Sequence, residues 1–133
     1  MTKEKKLNLV SRVDEIARLE SFVDELQKDS ELDESKKNDV LLVLNEAVMN
    51  AIVHGNQNDP KKHVMVMAYL NSQKMTFRIK DEGPGFDPSE LPDPLDPANL
   101  LKLGGRGVFL INQYADEVHY SEKGNEVEIV IYI

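Results

Sequence analysis

Alternation of apolar and polar residues near the N-terminus predicts a short strand followed by an amphipathic helix. Leu7 and Leu9 alternate with polar neighbours over Lys6 to Val10, which is the period of a half-buried strand. Ser11 then stands where a helix N-cap is expected. Apolar residues recur at helical spacing from there to about Asp29, namely Val13, Ile16, Ala17, Leu19, Phe22, Val23 and Leu26. The pattern predicts one helix with a single buried stripe.

A second helix is predicted from about Ser35 to His54, with Gly55 as its left-handed C-terminal cap. Of the 14 residues from 40 to 53, 11 are apolar, and they lie on all sides of the helix rather than on one stripe. We therefore expect this helix to be buried nearly all round. Its three polar residues then need a chemical explanation.

The remaining periodic segments predict a sheet and a third helix. A turn signal at Asn56 to Pro60 precedes two strands, and a Pro-rich loop at 83–97 separates them from the third helix. The predicted segments are strands 63–70 and 75–80, helix 108–115, and strands 118–121 and 126–133, with a hairpin turn at Gly124. Together, these elements predict a two-layer α/β sandwich, in which a mixed, mainly antiparallel sheet is covered by helices on one face.

Composition narrows the class of protein. With 133 residues, 41% hydrophobic and 30% charged, the chain has the makeup of one globular domain over residues 1–133. The formal charge of −8 disfavours nucleic acid and anionic membranes as partners. The chain has no Cys, which excludes disulfides and thiolate zinc sites. Its longest apolar run is Val64 to Leu70, which is too short for a membrane span. Its N-terminus lacks the apolar core of a signal peptide. We expect a cytoplasmic protein.

Two polar residues of the apolar second helix are the first candidates for chemistry. Glu46 and Asn50 are four residues apart, so both project from one face of the helix. A buried carboxylate is costly without a partner, and a structural salt bridge is one explanation of Glu46. A carboxylate and an amide oxygen one turn apart also suit a hydrated Mg²⁺, which prefers oxygen ligands and keeps waters and phosphates around it. Asn45 and His54 border the same face.

The segment Asp81-Glu82-Gly83-Pro84-Gly85 follows a predicted strand and forms the second candidate. By itself, Gly-Pro-Gly indicates little more than a tight turn. Glycines such as Gly83 and Gly85 also let a backbone approach a flat ligand closely. A carboxylate at the strand end, here Asp81, can accept the amino hydrogens of adenine and would reject guanine, which has a carbonyl in that place.

The third candidate is the segment from Gly104 to Gly107, which opens the third helix and includes Gly105 and Arg106. Amides at a helix N-terminus, reached through glycines, suit a phosphate. The segment is not a Walker loop, because no Gly-Lys-Ser or Gly-Lys-Thr follows, and it is not the Gly-x-Gly-x-x-Gly of a first βα turn. The familiar nucleotide-binding folds are therefore excluded.

These three segments, in this order, resemble the motifs of one superfamily. The stretch LNEAVMNAIVHGN is similar to the N box of the GHKL (Bergerat-fold) ATPases, DEGPGFDP to their first glycine box and GGRGVFLINQYADEV to their second. Within the superfamily, the chain most resembles the anti-sigma-factor serine/threonine kinases of bacteria, over nearly its whole length. The resemblance implies a Bergerat fold that binds ATP with Mg²⁺.

The resemblance also implies roles for individual residues. Glu46 matches the general base of the family, Asn50 its Mg²⁺ ligand and Asp81 its adenine acceptor. The glycine boxes correspond to Gly83 and Gly85 in the first and to Gly105 and Gly107 in the second.

One departure from the family concerns the terminal phosphate of ATP. Some anti-sigma kinases place an Arg just before the second glycine box, whereas this chain has Lys102 and then Leu103. Lys102 or Arg106 could supply the positive charge. The loop 88–104 between the glycine boxes corresponds to the mobile lid over ATP.

The implied function is transfer of the γ-phosphoryl of ATP to a Ser or Thr of an anti-sigma-factor antagonist, by a kinase that also holds a sigma factor. Related kinases commonly dimerise, so a homodimer is compatible with the resemblance.

Three alternatives stay open at the level of sequence. A histidine-kinase catalytic domain shares the glycine boxes, but that family usually lacks Glu at the position of Glu46, and no phosphoacceptor helix precedes this domain. An ATPase of the topoisomerase or chaperone type keeps the Glu, yet depends on further domains. A binding module that senses ATP without catalysis is the third, because motifs cannot report turnover.

Overall fold

The structure is a computed structural model that describes residues 3–30, 32–84 and 105–133. Its elements follow the predicted order of strands and helices. They are β1 (Lys3–Val10), a 3₁₀ turn (Val13–Ala17), α1 (Arg18–Lys28), α2 (Glu34–Asn50), a π-helical turn (Ala51–Gly55), β2 (His63–Leu70), β3 (Lys74–Lys80), α3 (Gly105–Tyr114), β4 (Glu117–Tyr120) and β5 (Glu126–Tyr132). Among these residues, no helix is both long enough and apolar enough to cross a membrane.

The five strands form one sheet in the order β1-β2-β3-β5-β4. All four pairs between the described strands are antiparallel, so the parallel pair that a mixed sheet would contain is not found among them. The hairpins β2–β3 and β4–β5 follow from short connections, which favour antiparallel neighbours. The turn of the second hairpin uses Gly124 at φ 76°, as predicted.

One face of the sheet packs against the helices. Alternate residues of β2 and β3 are buried on this face, namely Val64, Val66, Ala68, Leu70, Met75, Phe77 and Ile79. They form a single hydrophobic core with the apolar sides of α1 and α2. The residues between them, such as Met65 and Arg78, retain exposure on the opposite face. The predicted two-layer α/β sandwich, with helices on one face, is confirmed.

The start of the first helix differs from the prediction. Ser11 does not act as the N-cap, because it is fully buried and its hydroxyl accepts a hydrogen bond from the side-chain amide of Asn56 at 2.7 Å. Arg12 occupies the N-cap position without a side-chain cap bond, and Val13 in the following 3₁₀ turn is 50% exposed. The Ser11 hydroxyl, which local rules predict to cap the helix, is instead used in a tertiary hydrogen bond.

Over residues 40–53, the second helix is fully buried on one side and half-buried on the others. Its N-cap is Asp33, whose carboxylate accepts a hydrogen bond from the Lys36 amide at 2.7 Å. No residue from 40 to 53 is exposed, but half of these 14 residues are only half-buried, so the prediction of burial nearly all round is met only in part. Full burial follows one stripe at helical spacing, formed by Val40, Val43, Leu44, Ala47, Val48, Ala51 and Ile52. The polar residues Asn45, Glu46 and Asn50 are half-buried.

The end of the second helix also differs from the prediction. The helix widens into the π-helical turn after Asn50, and the left-handed conformations fall on Gln57 (φ 54°) and Asn58 (φ 59°) rather than on Gly55. Asn is among the residues that adopt this conformation most readily. Gly55 is therefore not the cap, and its lack of a side chain serves a different contact.

Candidate functional site

The end of the second helix touches the segment that follows β3. Gly55 packs so closely against Asp81 that a Cβ at position 55 would overlap the carboxylate. A Cβ at Gly83 would overlap the main-chain carbonyl of Gly55 in the same way. Glycine at both positions permits this approach. The helix that carries Glu46 and Asn50 thus ends against Asp81.

Asp81 is held from several sides. Its carboxylate Oδ1 accepts a hydrogen bond from the Gly83 amide at 2.8 Å, and its own amide donates to the Asn125 carbonyl at 2.9 Å. The residue is 8% exposed, and this burial raises the pKa of Asp81. The Gly83 N–H and the positive charge of Lys62 offset part of that rise. The carboxylate is thus fixed in orientation and partly desolvated, which strengthens any hydrogen bond that it accepts from a ligand.

Glu46 and Asn50 both lie in α2, as the spacing predicts, and Asn50 is the last residue before the π-helical turn. Four residues apart on a continuous helix, their side chains project from the same side. Neither side chain makes a hydrogen bond or ion pair to another residue within 3–30, 32–84 or 105–133. A structural salt bridge to Glu46 is therefore not found in this part of the chain. Among the neighbours on that face, Asn45 is half-buried and His54 is exposed.

The helix that contains the second glycine segment packs against α2. Gly105, Arg106 and Gly107 lie in the first turn of this helix, α3, and α3 as a whole contacts α2. Among the described residues, the helix already includes Gly105, whereas the prediction started it at Val108, so both glycines belong to the helix itself. The side chain of Arg106 lies outside the described part of the structure, as do Gly85, Lys102 and the predicted lid at 88–104.

The contact of the end of α2 with Asp81 and Gly83, and the packing of α3 against α2, agree with the result of sequence comparison. The model of the histidine kinase-like ATPase domain family matches residues 9–131. The chain belongs to this family. The predicted membership of the GHKL superfamily is thereby confirmed.

The chain is similar to proteins named anti-sigma factors and serine kinases. The chain is 33% identical over 119 residues to the anti-sigma F factor of Clostridium beijerinckii, which covers 87% of the chain and 76% of that protein. It is 32% identical over 112 residues to the anti-sigma F factor of Anoxybacillus flavithermus, covering 80% and 75%. It is 26% identical over 102 residues to the serine-protein kinase RsbW of Listeria innocua, covering 71% of the chain and 65% of the relative. These names confirm the predicted resemblance to anti-sigma-factor kinases.

Sequence reasoning missed Asn56, which lies next to the candidate site. In the sequence, Asn56 belongs to a turn signal and ends the stretch similar to the N box, but neither pattern predicts a role for its side chain, because Asn after Gly at a helix end is typical of turns. In the structure it is 1% exposed, and its side chain reaches Ser11 and the amide of Glu82. No periodic signal distinguishes such a buried Asn from an ordinary turn residue.

We expect Gly83→Ala to destabilise the protein by about 1–3 kcal/mol, because its Cβ would overlap the backbone of Gly55, which cannot rotate away as a side chain can. Urea denaturation followed by circular dichroism measures the change. Ser72→Ala, in the exposed turn between β2 and β3, is the control. An unfolding midpoint for Gly83→Ala equal to that of the control would contradict the close approach.

Proposed function

We propose that the chain is an ATP-dependent protein serine/threonine kinase of the anti-sigma-factor type. It transfers the γ-phosphoryl of ATP to a Ser or Thr of an anti-sigma-factor antagonist and sequesters a sigma factor. The observation that carries the proposal is the contact of Gly55 with Asp81 and Gly83, which joins the helix of Glu46 and Asn50 to the carboxylate proposed to bind adenine.

Each residue has a role in the proposed transfer. Asp81 accepts the amino hydrogens of adenine, and Gly83 and Gly85 let the backbone approach the base. The turn at Gly105 and Gly107 receives the phosphates, with Arg106 or Lys102 meeting the terminal one. Glu46 accepts the proton of the attacking Ser or Thr hydroxyl, which requires an approach of about 3 Å in the complex with substrate.

The residues present fit a Mg²⁺ that is shared with the nucleotide. Within the described residues, no group of three or more His, Asp or Glu side chains is placed to hold a metal by itself. The amide oxygen of Asn50, on a half-buried helix face, is a suitable single protein ligand, and Mg²⁺ usually takes its remaining ligands from phosphates and water. When bound, Mg²⁺ would neutralise charge on the transferring phosphoryl group.

The partners are proposed from the relatives. Proteins named anti-sigma F factor and serine-protein kinase RsbW suggest a sigma factor and a protein substrate with a Ser acceptor. Because a sigma factor acts where transcription occurs, we propose that the chain is cytoplasmic. We propose that each chain forms one domain over residues 1–133. A homodimer of two such chains is the proposed assembly of the kinase.

Incubation with ATP labelled at the γ-phosphate and candidate antagonist proteins tests the function. Acid-stable label on a Ser or Thr of an antagonist supports the proposal. Label on a His indicates a histidine kinase, and release of phosphate alone indicates an ATPase. Tight ATP binding without turnover would leave only a binding module.

We expect Asn50→Ala to raise the Mg²⁺ concentration that gives half-maximal transfer, by roughly tenfold or more, because one oxygen ligand is lost from the metal. Activity is measured across a Mg²⁺ titration at saturating ATP. Asn45→Ala, another half-buried Asn of α2, is the matched control. A metal titration that coincides with that of the control would exclude Asn50 as a ligand.

A further inference from the structure

We propose that Asn56 is a positioning residue that fixes the direction of the Asp81 carboxylate through the amide of Glu82. Asn56 is 1% exposed, so it cannot itself contact a nucleotide. Its side chain nevertheless reaches three other segments of the chain. Its consequence for nucleotide binding rests on the proposed function.

The side chain of Asn56 uses both amide hydrogens and its oxygen. Nδ2 donates to the Ser11 hydroxyl at 2.7 Å and to the His63 carbonyl at 3.0 Å. Oδ1 accepts from the Glu82 amide at 2.8 Å. The main-chain amide of Asn56 also donates to the Ala51 carbonyl at 2.8 Å. The residue thus joins the ends of β1 and β3, the start of β2 and the π-helical turn.

The bond to Glu82 acts directly on Asp81. The Glu82 nitrogen belongs to the peptide unit that follows the Cα of Asp81, so Asn56 fixes the plane of that unit. The preceding peptide unit is fixed by the bond from the Asp81 amide to Asn125. With both peptide units held, and with Gly55 and Gly83 packed around the side chain, the carboxylate has one direction available.

Glu82 adds a second bond to the same junction. Its carboxylate accepts a hydrogen bond from the His63 amide at 2.5 Å, while the His63 carbonyl accepts from Asn56. The start of β2 is therefore tied to the residue after Asp81 both directly and through Asn56. At this buried junction, Asn56 donates two hydrogen bonds and accepts one, which a side-chain amide can do. A carboxylate at position 56 would offer no donor.

The test compares Asn56→Ala with Ser11→Ala. Ser11→Ala removes one bond of Asn56 but leaves its bond to Glu82, so it serves as the matched control. We expect Asn56→Ala to weaken ADP binding about tenfold by calorimetry, and Ser11→Ala to leave ADP affinity within about twofold of wild type. If Asn56→Ala does not fold, Asn56→Ser replaces it, because its hydroxyl is too short to reach Glu82. Equal ADP affinities for the folded Asn56 and Ser11 variants would overturn the proposal.

A double-mutant cycle distinguishes positioning from a general loss of structure. If Asn56 acts through Asp81, its replacement has little further effect on ADP affinity in an Asp81→Asn background. The same fold-loss in both backgrounds would refute the proposal.

Hydrogen exchange separates this proposal from the proposed function. If wild-type protein does not bind adenine nucleotides, the proposed function fails, and the positioning role is then decided without ligand. Exchange at the Glu82 and Gly83 amides should rise in Asn56→Ala relative to Ser11→Ala. Unchanged protection at these two amides would contradict the role of Asn56.

Discussion

Glu46→Gln is expected to slow phosphoryl transfer strongly while leaving ATP affinity close to that of wild type. The amide has nearly the shape of the carboxylate but cannot accept the proton of the attacking hydroxyl. A positioned general base contributes roughly 100- to 10,000-fold, so the rate of transfer should fall by that factor. Single-turnover transfer from labelled ATP and calorimetric titration of an ATP analogue measure the two quantities separately.

The design of this experiment depends on the surroundings of Glu46. The side chain is half-buried on α2 and has no hydrogen bond or ion pair to another described residue, so replacing it with Gln breaks no described contact. Glu20→Gln, on the exposed side of α1, is the control for loss of one negative charge. Transfer by Glu46→Gln at the rate of that control would remove Glu46 as the base. Loss of ATP affinity would assign it to binding instead.

The strands were the most predictable part of this fold. The alternation of Met75, Phe77 and Ile79 predicted β3 to within one residue, because an antiparallel strand with one covered face repeats every two residues. Gly124 likewise fixed the last hairpin turn through its positive φ. These signals arise from residues that are close to each other in sequence, so the sequence alone is enough to predict these elements.

Predictions failed where a side chain serves a tertiary contact. Ser11 and Gly55 carry ordinary capping signals, yet Ser11 bonds to Asn56 and Gly55 makes room for Asp81. The spacing of Glu46 and Asn50 placed both on one helix face, but no local rule indicates that this helix ends against Asp81. The junction between helix and strand end, on which the candidate site depends, is therefore the part that the residue patterns could not predict and that only the family resemblance implied.

Asp81→Asn is expected to weaken ATP binding by roughly 100- to 1,000-fold, since a charged acceptor is lost and a buried donor is left without a partner. The variant has one acceptor oxygen in place of two. If that oxygen stays on the Gly83 amide, the NH₂ group faces the adenine amine; if the amide flips, the NH₂ group faces Gly83. Calorimetry with ATP measures the loss, and Asp116→Asn, at an exposed position before β4, is the control. Affinity equal to the control would refute the adenine role of Asp81.

Without nucleotide, the same variant should gain stability relative to wild type as the pH rises. Because burial raises the pKa of Asp81, the folded chain holds a proton there more readily than the unfolded chain does. The stabilising contribution of Asp81 is thus complete below its ordinary pKa of about 4 and is lost as the pH rises through the folded-state pKa. Asn does not titrate and keeps an oxygen for the Gly83 amide. Urea midpoints of the two proteins should therefore differ more at neutral pH than at about pH 4, in favour of Asp81→Asn. A difference in urea midpoint that is constant with pH would show that burial of this carboxylate carries no cost. If Asp81→Asn instead raises stability while it lowers ATP affinity, Asp81 is a residue kept for binding rather than for folding.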